Sequence, residues 1–130
     1  MIVLDASAAV DWLVQSSAAP RIERRIFARN QSLHAPELLD LEVAQVLRRL
    51  AREGVLTVSR AEAAIDDLLD LRINRYPHSV LLPRIWQLRH NISAYDAAYV
   101  VLAEELHATL VTRDSRLASV PGHRAAIEVV

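Results

Sequence analysis

Short apolar segments that alternate with longer amphipathic segments are the feature that most constrains the fold of this chain. Ile2-Val3-Leu4 and Leu110-Val111-Thr112 are typical of buried strands, because aliphatic and β-branched side chains favour the pleated sheet. Between such segments, apolar residues recur at helical spacing. This alternation predicts an α/β fold with a central parallel sheet covered by helices on both faces. We expect strands at residues 2–5, 33–35, 110–112 and 126–130, a further candidate strand at 72–77, helices over about 7–14, 20–30, 36–53 and 93–107, helices beginning near 59 and 83, and a helical turn at 114–119.

The chain of 130 residues predicts one domain over residues 1–130, since domains most often have about 100–150 residues. No uncharged apolar run is long enough to cross a membrane. The first residues are interrupted by Asp5 and Asp11 and lack the pattern of a signal peptide. Because the chain also has no cysteine, these features favour a cytoplasmic protein.

The residue types that the chain lacks exclude several classes of enzyme. It has neither lysine nor cysteine, which removes Schiff-base, P-loop and thiol chemistry together with cysteine-based zinc sites. Gly54 and Gly122 are the only glycines, so the glycine-rich turn of a dinucleotide-binding site cannot be built. The formal net charge is −1. Binding to nucleic acid would therefore depend on local arginine groups or on metal ions rather than on bulk charge.

Three aspartates stand at positions that favour either a site or a helix cap. Asp5 and Asp114 each follow a predicted strand, where an aspartate also serves as an N-cap residue. Asp96 follows Ser93 at the spacing of a capping box, in a first turn where the helix dipole favours an anion. Taken one at a time, these residues do not distinguish the two interpretations.

Glu42 lies at the margin of the apolar face of its helix, about 80° from the centre of that face. An ion pair with Arg49 or a neighbouring residue is the alternative there. Together with the three aspartates, Glu42 has a chemical rationale, because carboxylates are the natural ligands of Mg²⁺ and Mn²⁺. In proteins with open parallel sheets, ligands bind at the carboxyl ends of the strands, and Asp5 and Asp114 are expected there. Divalent ions held there can activate water for attack on a phosphodiester.

Two groups of arginines are spaced to share one helix face each. The groups are Arg21, Arg24, Arg25 and Arg29, and Arg48, Arg49 and Arg52. A solvated face in a lysine-free protein explains both groups. Contact with RNA phosphates is the alternative, for which the planar guanidinium is well suited.

Three stretches of the chain resemble the PIN-domain ribonucleases, and among these the VapC-type toxins of bacterial toxin–antitoxin pairs. They are MIVLDASAAVDWLV, APELLDLEVAQVLRRL and ISAYDAAYVVLAEELHATLVTRDSRLA. The resemblance spans nearly the whole chain, and the YDAAY and TRD blocks are its most specific parts. It implies a PIN-like α/β/α sandwich around a parallel sheet. It also implies a Mg²⁺- or Mn²⁺-dependent endoribonuclease that hydrolyses structured RNA, of the tRNA or rRNA class, with a metal-bound water.

The resemblance assigns roles to six residues. The catalytic and metal-binding acids are Asp5, Glu42, Asp96 and Asp114, and the supporting polar residues are Ser7 and Thr112. Asp5 and Asp96 are the expected central ligands. Members of the family often carry asparagine three residues after the helix glutamate, and this chain has Gln45 there.

The resemblance also implies partners. A VapB-type antitoxin would wrap the toxin and block its cleft, and the toxin would form a homodimer. Two alternatives stay open: a PIN nuclease that processes housekeeping RNA without an antitoxin, and a catalytically silent PIN-like module that only binds RNA or protein. The complete set of acids argues against the silent module, and a small antitoxin gene immediately upstream would favour the toxin over the housekeeping nuclease.

Overall fold

A five-stranded parallel sheet organises the chain in a computed structural model that describes residues 1–130. Its strands are β1 (Ile2–Leu4), β2 (Leu33–Pro36), β3 (Ile73–Tyr76), β4 (Thr109–Thr112) and β5 (Ala126–Val129). The order across the sheet is β3-β2-β1-β4-β5, with every neighbouring pair parallel. The central parallel sheet predicted from the sequence is therefore confirmed, including the candidate strand in residues 72–77.

Seven α-helices connect and cover the strands. They are α1 (Ala6–Leu13), α2 (Ala19–Ile26), α3 (Leu38–Arg52), α4 (Val58–Asp70), α5 (Leu82–Gln87), α6 (Ala94–Leu106) and α7 (Ser115–Ser119), with a 3₁₀ helix at His78–Leu81 before α5. The helices from α1 to α4 pack on one another, whereas α5 packs on α6. These two groups cover the sheet as the outer layers of an α/β/α sandwich. None of the helices is both long and apolar enough to cross a membrane.

The centre of the core is β1, which lies between β2 and β4 and is fully buried. Val3 stands opposite His34 on one side and Leu110 on the other. Helix α6 packs against β1, β2 and β4, and every residue in Ala97–Glu104 is buried. A helix that is apolar on all sides is stable only when surrounded, so the alanine-rich and valine-rich sequence of α6 explains its central position.

Two helix starts differ from the predictions. The helix expected to begin near residue 59 begins at Val58, because its cap is Thr57 rather than Ser59: the Thr57 hydroxyl accepts the Arg60 N–H at 3.0 Å. Thr57 is extended and lies just outside the first turn, which is the geometry of an N-cap. Pro36 ends β2 instead of opening α3, because it continues the parallel pairing of β2 with β3.

A buried ion-pair cluster joins α5, α6 and the segment before β5. Glu104 accepts two hydrogen bonds from Arg84, both at 3.2 Å, and one from Arg124 at 3.5 Å. The Glu104 side chain is only 3% exposed. Arg84 also donates to the Gly122 carbonyl at 2.9 Å. A buried carboxylate requires such pairing, so Glu104 fixes the far end of α6 relative to its neighbours.

Replacing Glu104 tests this cluster. We expect Glu104→Ala to lower the free energy of unfolding by about 2–3 kcal/mol, because it leaves the partly buried Arg84 without its partner. Urea unfolding followed by circular dichroism measures the change. Glu105→Ala is the matched control, since Glu105 is exposed on the same helix and forms no ion pair. Equal stability of the two variants would contradict the structural role of the cluster.

Candidate active site

The acidic side chains singled out in the sequence line one cleft at the carboxyl edge of the sheet. The cleft has a volume of about 1070 Å³ and is bordered by α1, α3, the start of α6 and the loop after β4. Five of the six predicted site residues line it: Asp5, Ser7, Glu42, Asp96 and Asp114. The sixth, Thr112, is completely buried next to Asp5. The fold therefore brings together residues separated by more than 100 positions in the chain.

Asp5 follows β1 directly and occupies the N-cap position of α1, but its side chain makes no capping hydrogen bond. Instead, Oδ2 of Asp5 accepts hydrogen bonds from the hydroxyls of Ser7 at 2.7 Å and Thr112 at 2.6 Å. Oδ1 receives no hydrogen bond from the protein. The two hydroxyls therefore fix the orientation of the carboxylate and leave one oxygen free for a ligand in the cleft.

The hydroxyls that hold Asp5 are themselves held by the loop after β4. The backbone N–H of Arg113 donates to Ser7 Oγ at 3.0 Å, and the backbone N–H of Asp114 donates to Thr112 Oγ1 at 3.0 Å. In this way the end of β1, the start of α1 and the end of β4 form one connected network, and Asp5 is at its centre.

Glu42 is held by Tyr99, whose role is not evident from the sequence. The Tyr99 hydroxyl donates to Glu42 Oε1 at 2.6 Å. Tyr99 is buried on α6, one turn after Asp96. The ion pair of Glu42 with Arg49 does not form. Tyr99 and Asp96 lie three residues apart on one helix, so one face of α6 supplies a carboxylate and the group that orients another.

Asp96 lies in the first turn of α6. Its backbone N–H donates to the Ser93 hydroxyl at 3.2 Å, as the cap spacing predicts. Among the side chains around it, only the Ser93 hydroxyl lowers the pKa of the Asp96 carboxyl by hydrogen bonding. The Asp96 carboxylate is therefore available to a ligand, at the end of the helix where the dipole favours an anion.

Asp114 combines the two roles that the sequence left open. It lines the cleft, and it is also the N-cap of α7, where Oδ1 accepts the Arg116 backbone N–H at 3.0 Å. The Arg116 guanidinium forms a further ion pair with the same carboxylate, with Nη2 at 2.6 Å from Oδ2. Hydrogen bonds from Arg116 keep the pKa of Asp114 below its ordinary value.

Burial and nearby negative charges raise the pKa values of Glu42 and Asp96. Burial raises the pKa of Glu42, and the nearby charges of Asp5 and Asp96 add to this effect, while the Tyr99 hydrogen bond opposes it. Burial likewise raises the pKa of Asp96, with further contributions from Asp5 and Asp114. Mutual repulsion of this kind is expected where several carboxylates share a partly dry cleft. Perturbed groups in a cleft are typical of functional sites.

The arginines are distributed unevenly around this cleft. Of the two groups noted in the sequence, only Arg49 lines it. Arg25, on α2, is paired with Glu128 instead. Arg113 lies at the rim, where its guanidinium donates to Asp11 at 2.6 Å and to the Val130 carbonyl. The first group of arginines, which begins on α2, therefore lies outside the cleft.

Removing the charge of Asp96 tests the electrostatics of the cleft. Because the folded chain binds the Asp96 proton more tightly than the unfolded chain does, stability is lost as the pH rises above the ordinary carboxyl pKa of 3.8. Asp96→Asn is therefore expected to raise the Tm at pH 7 in a chelating buffer by a few degrees and to have little effect near pH 3. Differential scanning calorimetry at both pH values measures this difference.

The control for Asp96→Asn is Asp66→Asn, which removes the same charge from an exposed position on α4. It should leave the Tm at pH 7 nearly unchanged. A Tm of Asp96→Asn below that of the wild type at pH 7 would mean that repulsion does not dominate at this carboxylate.

Comparison with known proteins identifies the family of this chain. The sequence model of the PIN domain family matches residues 2–123 of this chain. The chain is 45% identical over 129 residues to Ribonuclease VapC1 of Mycobacterium tuberculosis (strain ATCC 25618 / H37Rv), with 98% of this chain and 96% of that relative covered.

Two solved structures share the fold. PAE2754 from Pyrobaculum aerophilum has a TM-score of 0.70 at 27% identity, covering 99% of this chain and 83% of that one. VapBC2 from Rickettsia felis, solved bound to a DNA fragment from its promoter, has a TM-score of 0.70 at 16% identity, covering 99% and 98%. The family model and the full-length relative show that this chain belongs to the PIN-domain family, among the VapC-type ribonucleases.

Proposed function

We propose that this chain is a Mg²⁺- or Mn²⁺-dependent endoribonuclease that acts as the toxin of a toxin–antitoxin pair and cleaves structured cellular RNA of the tRNA or rRNA class. The observation that carries the proposal is the gathering of four carboxylates from distant segments in one cleft. The chain has no lysine or cysteine that could supply another nucleophile. Membership of the VapC-type ribonucleases supports the cleavage of RNA.

The arrangement of the carboxylates fits a hydrated divalent ion. No three acidic or histidine side chains are grouped closely enough to enclose a metal ion. Mg²⁺ usually keeps several waters and is held by one or two carboxylates together with substrate phosphates. Oxygens that receive no hydrogen bond are available on Asp5, Glu42 and Asp96. These are the residues that would hold the ion.

When bound, the ion supplies an activated water and neutralises charge that develops on the phosphate. The protein supplies the geometry. Ser7 and Thr112 keep Asp5 in one orientation, and Tyr99 does the same for Glu42. Groups that are fixed before the substrate arrives need no reorganisation during the reaction, which is the contribution that this network makes to the rate.

We propose a VapB-type antitoxin as the partner that blocks the cleft. Beyond the acids, the cleft continues as an apolar surface between α1 and α3. This surface consists of Val10, Val14, Val46, Leu50 and Val55. A partner segment with apolar side chains for this surface and a basic group for the acidic end would match the whole cleft. The chain's similarity to VapC-type ribonucleases supports this partner.

We also propose that the chain forms a homodimer through an apolar surface next to the cleft. Val80, Leu82 and Trp86 are more than half exposed, at 73%, 51% and 67%. Leu82 shares a small cavity with Leu38 and Tyr95. Leu38 and Tyr95 also line the acidic cleft, so the apolar surface and the cleft are continuous. Exposed apolar patches of this kind are typical of protein interfaces.

Cleavage of RNA tests the proposed reaction. Purified wild-type protein is expected to cut total RNA at discrete positions in the presence of Mg²⁺ or Mn²⁺, and EDTA should stop the reaction. Asp96→Asn is expected to lose about 100-fold or more of the activity, as is typical when a preorganised charged group is removed. Sequencing of the new RNA ends gives both the rate and the sites.

The matched control for this assay is Asp66→Asn, which should keep wild-type activity. Cleavage that survives both EDTA and Asp96→Asn would contradict a mechanism based on metal ions and carboxylates. Binding of RNA without any cleavage under all conditions would favour the silent module.

A charged substitution tests the dimer surface. We expect Leu82→Asp to convert a dimer into a monomer in size-exclusion chromatography with light scattering, because a carboxylate would then be buried at the interface. Leu69→Asp is the control, since Leu69 is 67% exposed on α4, away from this surface. A monomeric wild type, or a Leu82→Asp variant that stays dimeric, would contradict the proposal.

A further inference from the structure

Asp114 differs from the other three cleft carboxylates because Arg116 donates hydrogen bonds to both of its oxygens. Oδ1 accepts the backbone N–H and the Nε of Arg116, both at 3.0 Å, and Oδ2 accepts Nη2 at 2.6 Å. Asp5, Glu42 and Asp96 each keep at least one oxygen without a hydrogen bond. In this structure Asp114 is thus engaged as the anchor of an arginine.

Arg116 is placed to act on the cleft from its mouth. Its side chain is 80% exposed, although Nε and Nη2 are bonded to Asp114. The charge of Arg116 also reaches Asp96, where it partly offsets the effects of burial, Asp5 and Asp114 that raise the Asp96 pKa. The guanidinium of Arg113, in contrast, is held at the rim by Asp11 and the Val130 carbonyl. Arg116 is therefore an accessible cation next to the acidic end of the cleft.

A phosphate is the anion that this arrangement fits. A guanidinium presents donors in a planar fork that matches two phosphate oxygens. An exposed ion pair contributes little to stability, so the exchange of the Asp114 carboxylate for a phosphate costs little free energy. An RNA strand that reaches the carboxylates brings its negative charge close to the acids, and Arg116 is the cation paired with one of these acids.

We propose that Arg116 binds a backbone phosphate of the RNA next to the bond that is cut, and that Asp114 holds the guanidinium beside the cleft until the phosphate replaces the carboxylate. The inference rests on the proposed ribonuclease function and adds a substrate-binding residue to it. It also assigns Asp114 a positioning role in the RNA-free protein.

Arg124 provides a matched control for Arg116. Its side chain is 78% exposed, and it is also paired with a carboxylate, that of Glu104. It lines a separate cavity next to the first residues of β4 and β5, at the amino edge of the sheet. Arg116→Ala and Arg124→Ala therefore remove the same charge with the same exposure from opposite ends of the sheet.

The test measures binding of total tRNA by fluorescence anisotropy in the Asp96→Asn background with Mg²⁺, so that the RNA stays intact. Arg116→Ala is expected to weaken binding by about 10-fold or more, as for the loss of a charge-assisted hydrogen bond. It should also reduce the slope of log K against log salt by roughly 0.7–0.9, which corresponds to one phosphate contact. Arg124→Ala should change neither quantity.

Arg116→Lys separates the effect of the positive charge from that of the planar guanidinium, because it keeps the charge and removes the paired donors. It is expected to restore the salt slope but only part of the affinity, because the ammonium lacks the fork of donors. In cleavage assays with the otherwise wild-type chain, Arg116→Ala should raise KM much more than it lowers kcat. Thermal unfolding of each variant shows whether the fold is kept.

The outcomes distinguish this inference from the proposed function. Wild-type protein that cleaves RNA while Arg116→Ala binds tRNA as tightly as its parent would overturn the phosphate contact and leave the function intact. A loss of tRNA binding in Arg116→Ala together with a wild type that never cleaves would support the contact and overturn the function. A loss of equal size in Arg124→Ala would show that only bulk charge matters, and would overturn the inference.

Discussion

The acidic cleft depends on the way in which Asp5 is held. Asp5 leaves the buried strand β1 as a nearly buried carboxylate, and such a group is stable only when it is hydrogen-bonded. The hydroxyls of Ser7 and Thr112 meet this requirement and in turn accept backbone N–H groups from the loop after β4. The same contacts that stabilise the carboxylate thus fix the relative positions of two strand ends and the first turn of α1.

Around Asp5, the protein balances negative charge locally. Glu42 is stabilised by the Tyr99 hydroxyl and Asp114 by Arg116, whereas Asp96 has only the Ser93 hydroxyl at the start of its own helix. The raised pKa values of Glu42 and Asp96 show that this balance is incomplete. A site with uncompensated negative charge favours cations, and a cation lowers the repulsion that folding alone leaves in place. Stability of the free protein and readiness to bind a ligand are therefore opposed in this cleft.

The sequence predicted the parallel sheet and the members of the cleft because both depend on local patterns. Apolar strands followed by Asp5 and Asp114 indicated the edge at which these residues meet, and the structure confirms the α/β/α architecture. The catalytic roles of the residues are still predictions. The pairing of Glu42 with Tyr99 was not predictable, since it depends on how α3 and α6 pack. The start of α4 at Val58 was missed because Thr57 and Ser59 are both good cap residues, and only the backbone decides between them.

Helix α6 connects the two ends of the molecule. Asp96 and Tyr99 near its first turns belong to the cleft, and Glu104 near its last turn belongs to the buried ion-pair cluster. Substitutions at the buried positions of α6 therefore affect folding as well as the site, whereas α2 and α4 each expose one face to solvent. Substitutions on the exposed faces of α2 and α4 are then tolerated more easily, because they disturb neither the core nor the cleft. The fold therefore combines a central helix, α6, that tolerates little change with outer helices, α2 and α4, whose exposed faces tolerate more.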